Sequence, residues 1–169
     1  MPISMYQASV PVFAHGLSVL SHLLHQGEAH ARETGADPAT LVEARLAPDM
    51  LTLAGQVQRA SDTSKLAIER LSGLPAPRME DNEKTFAELY ARIDKTIGYI
   101  KSVTEAQLTG TESKTIELKL RDFNPTFTGS SYLFTFALPN FYFHTTTAYD
   151  ILRHKGVKIG KRDYLRLMN

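Results

Sequence analysis

The chain has 169 residues, enough to bury a core without disulfides or structural metals, and this length predicts one domain over residues 1–169. Its 19 Lys and Arg nearly balance its 18 Asp and Glu, which removes the electrostatic case for a nucleic-acid partner. Because the chain has no cysteine, thiol nucleophiles, disulfides and cysteine-ligated metals are excluded, and only His and carboxylates remain as strong metal ligands.

The first ten residues carry polar side chains and a proline where a secretory signal needs a basic start and an apolar run. No segment reaches the roughly 18 consecutive apolar residues of a membrane span. We therefore expect a cytoplasmic protein with no membrane partner.

The first half of the chain predicts two long amphipathic helices and a short one between them. The first runs from about Met5 to Glu33 and ends before Gly35, and Asp37-Pro38 starts a short helix toward Arg45. The second long helix begins near Pro48 and closes at 73–77. The helical stripes are Val10, Phe13, Leu17, Leu20 and Leu24, then Met50, Leu53, Val57, Ala60, Ser64, Ala67 and Leu71.

A third helix and a small hairpin follow. The acidic residues 80–83 offer caps for a helix with Phe86, Leu89, Ile93, Ile97, Ile100 and Val103 on one face. After Gly110 the apolar period falls to two, with Ile116, Leu118 and Leu120 alternating with Glu117, Lys119 and Arg121, and a turn at 122–125 leads to 126–128.

The last helix is predicted from about Asn140 to Lys155, where Gly156 ends it. Ser130 or Ser131 caps a preceding helical stretch that Pro139 should interrupt or kink. The basic tail 157–169 is typical of a solvated surface.

His144 lies on the inward face of this helix with Phe141, Thr145, Ala148 and Leu152. A ligand or base role is open to it, and a core histidine bonded to a neighbouring helix is the more common alternative. Phe143 falls on the opposite face and indicates a second covered surface, although single exposed aromatics are normal.

Other polar side chains are weaker candidates. Gln58, Asp62 and Lys65 form a strip beside the apolar stripe of the second helix, where solvation is the commoner outcome. His22 and His25 have the i, i+3 spacing of two metal ligands, but such surface pairs are frequent by chance.

Three stretches of the C-terminal third, residues 136–144, 147–154 and 160–163, carry a family resemblance. Together with 45–50 and 127–129, they resemble an uncharacterised bacterial family of unknown function within the DinB-like (YfiT-like) metalloenzyme superfamily. The resemblance implies an all-α four-helix bundle with a long crossover, often assembled as a homodimer. The period change adds a small β-hairpin before the last helix.

The resemblance also implies a metal site. DinB-like proteins bind a divalent ion, here Zn²⁺ or Ni²⁺, through one histidine of the second helix and two histidines four apart on the last helix. His144 corresponds to the first of that pair, but the position four later is Ala148. The second helix offers only Gln56, Gln58 and Asp62, so two of three ligands are absent and we expect a degenerate site.

Three functional hypotheses follow, and whether the protein is an enzyme stays open. In the first, a pocket formed by Gln58, Asp62, His144 and Tyr149 binds a small molecule without a metal. In the second, the protein is a metal- or His-dependent transferase or hydrolase with His144 as general base and Asp62 as its orienting partner. In the third, it is a non-catalytic dimeric structural or stress-related protein.

Overall fold

The computed structural model describes residues 3–119 and 122–166, and four long helices dominate it. The bundle helices are α1 (Met5–Thr34), α3 (Leu53–Ser72), α4 (Phe86–Ser102) and α7 (Leu138–His154). Between and after them lie α2 (Pro38–Val42), α5 (Glu105–Leu108), a 3₁₀ turn (Thr111–Ser113), β1 (Thr115–Glu117), β2 (Thr126–Thr128), α6 (Gly129–Ser131), a π-helical segment (Tyr132–Ala137) and α8 (Lys161–Leu165). The predicted all-α bundle with a small hairpin is confirmed.

The four long helices pack in the order α1, α4, α3, α7 around the bundle. Helices α1 and α3 follow one another along the chain but lie diagonally, and so do α4 and α7, so the connections between them cross the end of the bundle. This topology places α7 between α1 and α3. The candidate site described below lies on α7 and α3.

The apolar stripe predicted for α1 is buried. Phe13, Leu17, Leu20 and Leu24 have no exposed surface, and the ring of Phe13 meets Phe141 of α7 edge to face at 5.1 Å. Gly16 lies against Phe141 so closely that an added Cβ would overlap the ring. A small residue at position 16 is what lets α1 and α7 approach.

Helix α3 begins later than predicted. The Thr52 side chain accepts a hydrogen bond from the backbone N–H of Gly55 and caps α3, so Pro48 and Met50 precede the helix. A side-chain cap satisfies an otherwise unpaired backbone donor, which a proline in the first turn cannot do. Consequently Leu51 stays on the surface, 46% exposed.

Two other predicted boundaries also differ. Helix α4 is capped by Thr85, which forms a capping box with Glu88, rather than by the acidic residues 80–83. Helix α2 ends at Val42, short of Arg45. Asp81 and Glu83 are instead used in ion pairs with Arg92, described below.

Pro139 does not interrupt the last helix. Residues 129–154 run as one helical stretch in which the segment before Pro139 is π-helical. The backbone N–H of Leu138 bonds to the carbonyl of Leu133, five residues earlier. A wider turn at this point relieves the clash and the lost donor that a proline imposes on a regular α-helix.

The hairpin pairs β1 and β2 antiparallel, with Ile116 opposite Phe127. Ile116 and Leu118 are buried, as their alternation predicted. Leu120 and Arg121 of the same predicted pattern lie outside the described residues. Among the helices that the structure describes, none combines the length and the apolar character needed to cross a bilayer.

Candidate functional site

The contact between α7 and α3 brings His144 onto Gln56. Nδ1 of His144 lies 2.7 Å from Oε1 of Gln56, while Nε2 of Gln56 donates to the Leu51 carbonyl at 3.3 Å. Because an amide oxygen only accepts hydrogen bonds, this partner assigns the imidazole proton to Nδ1. The second ring nitrogen, Nε2, is then an acceptor, and it has no hydrogen-bond partner within residues 3–119 and 122–166.

Burial of the imidazole lowers the pKa of His144 to about 4, and the positive charge of Arg59 contributes to the same decrease. Gln56 is 1% exposed and neutral, so it stabilises the neutral ring without favouring the imidazolium. His144 is therefore uncharged at neutral pH. A group whose pKa lies this far below neutrality is a weak general base there.

Asp62 and Gln58 point toward α4 instead of α7. Asp62 Oδ1 accepts from Arg92 Nη2 at 2.8 Å and from Lys65 at 3.0 Å, and Gln58 donates to Glu83 at 2.9 Å. Within the described residues no hydrogen bond joins Asp62 to His144. The side chain that orients the imidazole is Gln56.

Arg92 is the centre of this second group. Its side chain is 1% exposed, and besides Asp62 it binds Glu83 at 2.8 Å and Asp81 at 3.1 Å. Arg92 also donates to the Glu80 carbonyl at 3.1 Å, and Arg59 pairs with both Asp62 and Asp81. These ion pairs connect the loop before α4 to α3, so their role is to stabilise the fold.

Tyr149, the fourth predicted pocket residue, packs elsewhere. Its ring meets Tyr164 of α8 at 5.8 Å, and the Tyr164 hydroxyl lies 3.2 Å from the Thr145 hydroxyl. Tyr164, Thr145 and Tyr142 line a cavity of about 100 Å³ on the α1 side of α7. The structure thus distributes the four predicted pocket residues among three places.

The donors around His144 do not fit a divalent metal ion. Gln56 of α3 offers an amide oxygen already bonded to Nδ1, and Ala148, one turn after His144, is buried and has no donor. In the described part of the chain no group of three or more His, Asp and Glu side chains is placed to hold a metal. One imidazole and one amide are a poor ligand set for zinc or nickel.

Gln56 was missed as a site residue, although the sequence carries the signal. It lies three residues after Leu53 and four before Ala60, both on the buried stripe of α3. A polar side chain on an apolar stripe needs a partner, and His144 was the inward-facing polar group on α7.

Two comparisons with known proteins agree with this fold. Residues 5–165 match the family model described as Domain of unknown function (DUF1993). No protein of curated function matches the chain. A crystal structure of a DinB family member from Shewanella denitrificans, at 1.83 Å resolution, is similar with a TM-score of 0.88 and 38% identity over 95% of this chain and 91% of that one. The chain therefore belongs to the DUF1993 family, whose fold is DinB-like.

Proposed function

We propose that this DinB-like protein has lost the metal chemistry of its superfamily and binds a small molecule through His144. The observation that carries the proposal is the 2.7 Å contact between His144 Nδ1 and Gln56 Oε1. It fixes the ring orientation and leaves Nε2 as an acceptor in a half-buried position. A half-buried and neutral imidazole in this setting recognises a donor rather than a proton or a metal.

The surroundings favour a ligand with an O–H or N–H group on an apolar body. The ring of Phe143 meets the imidazole of His144 edge to face at 5.2 Å, and Phe143 is 56% exposed. An exposed aromatic beside a hydrogen-bond acceptor offers a ligand stacking area and one directional contact.

The probe pair phenol and anisole tests the donor requirement, because anisole has the same ring but no O–H. We expect phenol to shift the His144 ring signals saturably in NMR spectra, anisole to bind at least about tenfold more weakly, and His144→Phe to remove this preference. Equal binding of the two probes would show that Nε2 is not the recognition group.

Metal titration tests the other half of the proposal. Adding Zn²⁺, Ni²⁺ or Mn²⁺ should leave the melting temperature unchanged, because a metal stabilises the folded protein only if the folded protein binds it. Saturable stabilisation that disappears in His144→Ala would mean that the superfamily's metal chemistry is retained.

The alternative of a His-dependent hydrolase or transferase has less support. It needs Asp62 beside His144, whereas Asp62 is paired with Arg92 and Lys65. The alternative of a non-catalytic homodimer rests on the exposed aromatics Phe134, Tyr142 and Phe143 of the last helical stretch. A monomeric mass by light scattering across micromolar concentrations would exclude it.

A further inference from the structure

A second cavity is lined by residues of α1 and α4 and by Arg166, which follows α8. Its volume is about 270 Å³, and its polar lining comes from Ser18, Ser21, His22, His25, Asp94 and Arg166. Pockets that take drug-sized ligands measure roughly 300–1,000 Å³, so this space suits a smaller metabolite. It shares no residue with the His144 contact.

The two charged side chains of this cavity do not form an ion pair with each other. Asp94 of α4 and Arg166 after α8 both line the space, yet neither forms an ion pair or a side-chain hydrogen bond within residues 3–119 and 122–166. Both are exposed at the rim of the cavity. Opposite charges that share a cavity without contact leave room for a molecule that meets both of them.

Serine hydroxyls and a histidine ring add further hydrogen-bonding groups to the cavity. The hydroxyls of Ser18 and Ser21 bond to no other side chain or backbone group in the described part of the chain. His25 Nδ1 lies 2.8 Å from the Ser21 carbonyl, and the tautomer that fits this contact carries its proton on Nδ1 and leaves Nε2 as an acceptor. Stacking on Tyr90 at 4.1 Å holds this ring in place.

His22 adds a buried nitrogen that forms no hydrogen bond. Its Nε2 is buried and makes no hydrogen bond within the described residues, and the nearest carboxylate oxygen, on Asp163 of α8, is 3.5 Å away. Buried polar atoms are normally satisfied, and an unsatisfied one often marks a ligand or an ordered water. Arg166 is in the left-handed region, with φ of 51°, the one described non-glycine residue with positive φ. This conformation is that of a helix C-cap, in which the backbone N–H of Arg166 bonds to the carbonyls of Arg162 and Asp163 and ends α8.

We propose that this cavity binds a small zwitterion that carries an ammonium and a carboxylate, such as a free α-amino acid. Arg166 pairs with the carboxylate, for which its guanidinium has matching geometry, and the serine hydroxyls donate to the same group. Asp94 and Nε2 of His25 accept from the ammonium. A ligand that carries both charges meets Asp94 and Arg166 at once, whereas a ligand with one charge meets only one of them.

L-alanine, acetate and methylammonium are the probes, since the last two each carry one half of the charge pair. Isothermal titration calorimetry of the full chain should give a Kd for L-alanine at least about tenfold lower than for either half. Asp94→Asn should bring L-alanine down to the affinity of acetate. Arg166→Gln should bring it down to that of methylammonium.

Both substitutions lie at exposed positions, so the fold should survive them, and Asp150→Asn on α7 is the matched control that leaves binding unchanged. His144→Phe should also leave L-alanine binding unchanged, which separates this site from the one proposed at His144. The proposal is overturned if L-alanine binds no more tightly than acetate, or if Asp94→Asn and Arg166→Gln bind it as the unchanged chain does.

Discussion

Helix α3 uses its two flanks in different ways. On the α4 side, Asp62 joins a network of charges centred on the fully buried Arg92, whereas on the α7 side Gln56 meets His144 as a neutral pair. In the charged network both terminal nitrogens of Arg92 are paired, and its Nε is the buried donor left without a partner in the described residues. In the neutral pair the unpaired group is an acceptor, Nε2 of His144. The two flanks therefore differ in the kind of group that they leave unpaired.

Breaking the charged flank should have the largest effect. Arg92→Ala leaves Asp62 and Glu83 without their strongest partner in a mostly buried place, and we expect it to lower the free energy of unfolding by about 3 kcal/mol. Urea unfolding followed by circular dichroism measures the loss. Lys95→Ala, an exposed position one turn later on α4, is the control and should change stability by less than about 0.5 kcal/mol. A loss below about 1 kcal/mol for Arg92→Ala would mean that the network is not stabilising.

Pushing α7 away from α1 should have the next largest effect. Gly16→Ala places a methyl group into the ring of Phe141, and overpacking of this kind costs about 1–3 kcal/mol. Gly98→Ala has open space around the new methyl and should stabilise α4 by about 0.5–1 kcal/mol through helix propensity. Opposite signs in thermal unfolding are the expected result. Stabilisation by both substitutions would show that α1 and α7 separate easily.

Substitutions at the Gln56–His144 contact should change the free energy of unfolding little and the pKa of His144 clearly. Gln56→Leu removes the acceptor of His144 Nδ1–H and should cost about 1 kcal/mol. Gln56→Glu introduces a carboxylate at the same place, which favours the imidazolium and should raise the pKa of His144. An NMR titration of the ring protons reads the second effect directly. If the pKa of His144 is unchanged in Gln56→Glu, the two side chains are not in contact in solution.

The pH dependence of the unchanged protein tests the state of the same ring without a substitution. His144 has a pKa of about 4 in the folded state against an ordinary value of 6.5, so the unfolded chain binds more protons between these two pH values. Stability should therefore fall as the pH drops from about 6.5 toward 4. The slope should be shallower in His144→Phe. Equal slopes for the two proteins would mean that the folded state does not hold the ring neutral.

Sequence patterns predicted the helices well and their contacts poorly. Stripes such as Phe13, Leu17 and Leu20 follow from helical periodicity alone, because burial repeats with the helix. The Thr52 start of α3 and the π-helical turn before Pro139 depend on local hydrogen bonds that several nearby residues could supply.

The sequence predicted the face on which His144 lies but not the residue that it contacts. The inward face of His144 follows from its position on α7, but its partner is 88 residues away on α3. The partners of Asp62 are on α4 and its preceding loop, so the polar strip of Gln58 and Asp62 gave no sign of which neighbour it would meet. Choosing among partners requires knowing how helices rotate against each other.

That rotation depends on the π-helical segment. Tyr132 at its start bonds to Arg70 of α3, and His144, twelve residues later, bonds to Gln56 of the same helix. Twelve residues of regular α-helix would turn the second side chain about 120° away from the first. The one extra residue of a π turn absorbs about 100° of this, so both face α3. A regular α-helix over the same residues would swing His144 away from Gln56, which makes the phase of this helix, rather than any single contact, the property on which the site depends.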